Sequence, residues 1–226
     1  MMLEFIFFIL LLVSYSITVI YSAVHDVKFR AINTFTFVPV FLMASAFYFI
    51  EGDYAIMAVF AFIFIVSFMR TSIPLYLAMS LIALFLSFLF LKNPLEFLGI
   101  MISGMMLLLG YKEQLFGIGD VKAIITAIYS FLVLKFPYTT YFMPFSLSFL
   151  LYTALLSSVF IPYVYIFARK NKLKMKNFNI EFNESVFNSH RGKFRIIHLE
   201  NGDYMSYRIP FLVPVAAAFF FAIFLP

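Results

Sequence analysis

The chain is 226 residues long, 64% hydrophobic and only 12% charged, with a mean hydropathy of +1.01, which excludes an ordinary soluble domain and predicts a multi-span helical membrane protein. It has no cysteine, which excludes a disulfide framework, a thiol nucleophile and a cysteine-based zinc site. The net charge of +5 is read as the bias of Lys and Arg toward cytoplasmic loops, so no nucleic-acid partner is expected.

Phe5 to Val24 is the first predicted span, close to the roughly 20 residues that cross about 30 Å of hydrocarbon. A signal peptide fits poorly, because the segment before it carries Glu4 and the apolar run is longer than the ~7–15 residues of such a core. A polar island follows, His25-Asp26-Val27-Lys28-Phe29-Arg30-Ala31-Ile32-Asn33. A carboxylate at the end of a helix opposes the negative end of the helix dipole, so Asp26 stands against local preference unless another group wants it. Apolar runs then cover Phe35–Ile50, Tyr54–Met69, Ser72–Leu91 and Leu95–Gly110, divided at Glu51-Gly52-Asp53, at Arg70 with Pro74, and at Lys92-Asn93-Pro94.

The second island is Gly117-Ile118-Gly119-Asp120-Val121-Lys122, from which Val121–Leu134 starts a helix that Pro137 bounds. The glycines let the backbone bend and approach a ligand, and Asp120 is expected to open the helix as its N-cap. Lys122 and Lys112 are read as lowering the local potential or meeting lipid headgroups. Ser146–Phe167 is another full span; 168–208 is polar and basic, with Arg169, Lys170, Lys172, Lys174 and Lys176 read as a headgroup-facing anchor. Within that insert, Lys193–Leu199 and Tyr204–Ile209 flank Glu200-Asn201-Gly202-Asp203, and Asn-Gly between β-prone runs predicts a hairpin. Pro210–Phe224 is the last span.

The expected fold is therefore all-α and polytopic, with about six to eight transmembrane helices: a transmembrane core over 1–167, a partly β cytoplasmic insert over 168–208 and a last helix over 209–226. If the first span ends inside, fourteen of the sixteen Lys and Arg lie inside and only Lys92 and Lys135 outside. Four spans separate Asp26 from Asp120, and an even number returns the chain to the same side.

Two carboxylates at one membrane boundary have the chemistry of an aspartyl-protease dyad, in which one activates water and the protonated partner serves as general acid. Two unit charges ~5 Å apart at an effective dielectric of 20 repel by roughly 3 kcal/mol, so the pair is expected to share one proton. Each residue also has a plainer role: Asp120 as a helix cap, Asp26 as a solvated loop residue, Lys28 and Arg30 as inside anchors. His25 has no metal-spacing partner. The rival function is an ion-coupled transporter or channel using both Asp as cation or proton sites; it lacks a convincing inverted repeat and a midplane position.

Gly117-Ile118-Gly119-Asp120 resembles the GxGD signature of intramembrane aspartyl proteases, and Asp26…Arg30-Ala31-Ile32-Asn33 resembles the first-aspartate motif of the type IV prepilin peptidase branch. Tyr207-Arg208-Ile209-Pro210-Phe211-Leu212-Val213-Pro214 also looks like the final-helix entry of the archaeal members. The resemblance implies a multi-pass cell-membrane aspartic endopeptidase of the archaeal preflagellin peptidase type, cutting class III signal peptides of archaellin or pilin-like precursors at the cytoplasmic boundary. It implies Asp26 and Asp120 as the catalytic pair, Gly117 and Gly119 as site-shaping, and Lys122, Arg30 and Asn33 as possible accessories. Its expected partners are those precursors and membrane lipid, with no metal or organic cofactor. The 94-residue spacing of the aspartates exceeds what the family leads one to expect, as one inserted helical hairpin would make it. A further expectation, from position alone, is that the basic insert sits over the site and engages substrate.

Overall fold

A computed structural model describes residues 2–29, 33, 35–69, 73–91, 93–110, 118–132, 144–176, 179–190, 192–199, 202–207 and 210–224. Within these the chain is mostly helical with one small sheet. The helices in chain order are α1 (Met2–Phe29), α2 (Val38–Glu51), α3 (Tyr54–Val66), α4 (Ile73–Ser87, running into a 3-10 turn at Phe88–Phe90), α5 (Pro94–Gly110), α6 (Ile118–Phe131), α7 (Phe145–Ser158) and α8 (Phe160–Lys170). After them come β1 (Met175–Lys176), β2 (Asn179–Glu181), a short α9 (Glu184–Ser189), β3 (Phe194–Leu199), β4 (Gly202–Tyr207) and α10 (Leu212–Phe224).

The predicted breaks have local causes. Helix α2 ends where Gly52 takes φ +82°, a left-handed value that suits glycine; its N–H meets the Phe49 carbonyl and that of Asp53 meets Tyr48. Helices α3 and α4 are separate, as the even number of crossings requires. The first helix is longer than its apolar run suggests. It continues past Val24 to Phe29, so Asp26 lies inside a helix rather than in a loop. The rings of Tyr21, His25 and Phe29, spaced one turn apart, follow one another at 6.1 and 4.6 Å and carry the helix onward.

Helix α6 is the axis of the bundle. It packs against α1, α2, α3, α5, α7 and α10, and every residue from Val121 to Leu132 is buried. Such a helix must be accommodated on all sides. Gly110 at the end of α5 shows how closely: a Cβ there would stand 2.6 Å from Val121 Cγ2.

The outer surface is apolar instead, with Ile17, Phe85, Leu89 and Ile166 each more than 60% exposed. Two stretches, Glu4–Phe29 and Phe145–Lys170, are long and apolar enough to cross a membrane. The others are shorter; α3 and α10, at 13 residues each, are about 20 Å long.

The insert folds as a four-stranded antiparallel sheet in the order β1-β2-β4-β3. The expected hairpin is formed by β3 and β4, with Leu199 paired to Gly202, and β4 starts two residues earlier than its β-prone run. The tip at Glu200 and Asn201 lies outside the described residues. Ile180, Phe194 and Met205 share a small core with Val164 and Ala168 of α8, so the sheet rests on that helix.

Candidate active site

Three residues of α1 fall on one line. At about 100° per residue, Ser22 and Asp26 project within about 20° of the direction taken by Tyr15, and all three are buried. Tyr15 shows where that line faces. Its hydroxyl donates to the Ala123 carbonyl of α6 at 3.0 Å, and its ring lies 4.5 Å from that of Phe219 on α10. The stripe therefore looks between α6 and α10. Phe131, at the far end of α6, pairs with Tyr15 at 6.2 Å and with Phe8 at 6.1 Å, so α6 runs antiparallel to α1. The first turn of α6, with Asp120, and the last turns of α1, with Asp26, lie at the same end of the bundle.

Asp26 stands 11 residues beyond Tyr15 on α1 and Asp120 11 residues beyond Phe131 on α6, so from the Tyr15–Phe131 ring pair the two helices carry their carboxylates toward the same end. Side chains tilt toward the N-terminus of their own helix. For antiparallel helices this tilts Asp26 inward and Asp120 outward.

Both carboxylates stand at the positive end of a helix. Asp26, at the C-terminal end of its own, accepts a long hydrogen bond of 3.4 Å from the backbone N–H of Leu212, the first residue of α10. This is the group that wants a carboxylate where α1 alone would not. A helix N-terminus leaves its first N–H groups without intrahelical partners, and an anion there is stabilised by about 0.3–1 kcal/mol at a surface and up to ~2 kcal/mol when partly buried. Asp120 is the third residue of α6, inside its first turn. The expectation that it is the N-cap is corrected, because Ile118, Gly119 and Asp120 itself are already helical; the dipole argument is unchanged. Both side chains are over nine-tenths buried.

Lys122 does not meet lipid headgroups. It is fully buried, with its ammonium 3.1 Å above the centre of the Phe68 ring, beyond the end of α3. A cation on a desolvated aromatic face gains about 2 kcal/mol or more, which offsets part of the cost of removing it from water. Two residues apart on one helix, Lys122 and Asp120 point to different sides of α6. Asn33 is exposed and organises a turn: its Oδ1 accepts from Phe35 N at 3.0 Å and its carbonyl from Thr36 N at 3.1 Å. Gly119 is half-buried at the second position of α6. Arg30, Lys112 and Gly117 lie outside the described residues.

The described residues contain no cluster of three or more His, Cys, Asp or Glu that could hold a metal. What they offer is two buried carboxylates at one end of the bundle, each at the N-terminal end of a helix. Reading the sequence missed the Leu212 N–H, which carries no side-chain signal, and Ser22, whose spacing of four residues from Asp26 was the available hint. No protein-family model, curated protein or solved structure matches the chain.

Proposed function

We propose that the protein is a membrane aspartyl endopeptidase that removes class III signal peptides from archaellin or type IV pilin-like precursors at the cytoplasmic membrane boundary. The observation that carries this reading is the pair itself. Asp26 and Asp120, remote in sequence, come from antiparallel helices at one end of the bundle, both buried and both at a helix's positive end. The GxGD and Asp…Arg-Ala-Ile-Asn motifs supply the substrate class.

In this mechanism one carboxylate takes a proton from water as the water oxygen bonds to the scissile carbonyl carbon. The protonated partner donates to the developing oxyanion. Collapse breaks the C–N bond, and the proton passes to the leaving amine. In the membrane the reading takes α1 to α6, the α7–α8 rod and α10 as spans; all but α8 contribute to one continuous apolar core, and their outward faces are apolar. With the first span ending inside, the Lys and Arg distribution supports an inside position for the site and the sheet.

The test is cleavage of a preflagellin or prepilin in membranes by wild type, Asp26→Asn and Asp120→Asn. Wild type should shorten the precursor and neither variant should. Cleavage that survives both substitutions removes the mechanism.

A second reading, an ion-coupled transporter, draws on a different stripe. Lys122, Thr126 and Ser130 recur at one-turn spacing along α6, all buried, and the Thr126 and Ser130 hydroxyls have no hydrogen-bond partner among the described residues. Proton or cation uptake into liposomes that is lost in Asp120→Asn would favour it.

A further inference from the structure

The hydroxyl of Ser22 is fully buried and has no hydrogen-bond partner among the described residues. A serine inside a helix ordinarily escapes that position by bonding back to its own backbone. Its counterparts in this bundle do so: Ser45 donates to the Phe41 carbonyl at 3.0 Å, Ser80 to Tyr76 at 2.9 Å and Thr153 to Phe149 at 2.8 Å. Ser103, Thr126, Ser130 and Ser146 share the unpartnered state. Ser22 alone of these shares a helix stripe with Asp26, one turn deeper.

The level of Ser22 matters as much as its direction. It stands one turn deeper than Asp26 on the stripe that looks toward α6 and α10. A helical side chain tilts toward the N-terminus of its own helix, so Asp26 leans toward Ser22. The buried hydroxyl therefore lies on the Asp26 side of the face that Tyr15 fixes against α6, whose first turn carries Asp120 at the same end of the bundle. A buried hydroxyl offers one donor and two acceptor sites, and leaving all of them unused is costly.

We infer that Ser22 is a third member of the site, and that its hydroxyl holds the attacking water between Asp26 and Asp120. This rests on the peptidase reading and adds to it. The water accepts from the Ser22 hydroxyl and donates to the carboxylate that acts as base, which aligns its oxygen with the incoming peptide carbonyl.

The experiment compares wild type, Ser22→Ala, Ser22→Thr and Asp26→Asn for precursor cleavage in membranes, with thermal unfolding of each in detergent. Ser22→Ala is nearly isosteric and removes an unsatisfied group, so its unfolding midpoint should match or exceed that of wild type. Its kcat should fall by about 10- to 100-fold, with KM within about twofold, as expected when a preorganised hydrogen bond to a reacting group is lost. Ser22→Thr keeps the hydroxyl and should recover most of that loss.

Wild-type kcat in Ser22→Ala overturns the inference, as does a loss of kcat matched by a loss of stability. If Asp26→Asn is inactive while Ser22→Ala is not, only the inference fails. If Asp26→Asn still cleaves, or wild type cleaves no precursor offered, the peptidase reading fails and takes the inference with it.

Discussion

Asp26 belongs to two helices at once, at the negative end of the one that carries it and the positive end of the one it touches. The two roles can be separated. Asp26→Asn keeps an oxygen acceptor for the Leu212 N–H, so the unfolding midpoint in detergent should stay within about a degree of wild type. Asp26→Ala removes the acceptor and leaves a buried N–H at the α10 N-terminus, at a cost of about 1–2 kcal/mol, or roughly 2–8 °C. Both should abolish cleavage. Equal midpoints for the two would show that the bond to α10 carries no stability. At this scale the sequence was legible where chemistry is written in side chains: Asp26 and Asp120 stand out as carboxylates in an apolar chain. Lys122 misled, since a lysine two residues from the aspartate reads as a headgroup contact until α6 proves buried on every side.

Among the elements, α5 and α6 meet at a point that controls Asp120. Val121 follows Asp120 directly, and its Cγ2 occupies the place a side chain at Gly110 would need. Gly110→Ala should therefore push the first turn of α6 aside, destabilise by about 1–3 kcal/mol and lower cleavage. Adding Val121→Ala removes the colliding methyl groups, and the double variant should regain activity over Gly110→Ala in the same assay. A double variant no better than the single one would place the cause elsewhere. Apolar runs and their Gly, Pro and Lys punctuation made the rods readable, and Asn201-Gly202 made the hairpin readable. The end of α1 was hidden because His25–Phe29 is polar in composition yet held helical by its own rings. Strands β1 and β2 are two and three residues long, too short for any period to register.

For the molecule as a whole, the proposed topology can be read with chemical labels because the chain contains no cysteine. A single Lys174→Cys, in the polar stretch below α8, and a single Asn93→Cys, just before α5, should fall on opposite sides. Residue 174 should react with an impermeant maleimide only in inside-out vesicles, and residue 93 only in right-side-out ones. Labelling of both from one side would break the even count that brings Asp26 and Asp120 together. The apolar exterior was visible from composition alone. The register of α1 against α6 was not, because it depends on contacts such as Tyr15 to the Ala123 carbonyl that no single helix encodes.

The bond between Asp26 and Leu212 joins residues 186 positions apart, and so it also orders events in time. During synthesis α1 precedes α10, and its carboxylate waits through the production of α2 to α9 and the sheet. Only α10 brings the N–H that it accepts from. A ribosome halted before α10 leaves a chain that carries both aspartates but not the end against which Asp26 rests. The backbone group that Asp26 meets is thus made long after both aspartates, and the contact at the buried end of α1 forms only once α10 has been translated.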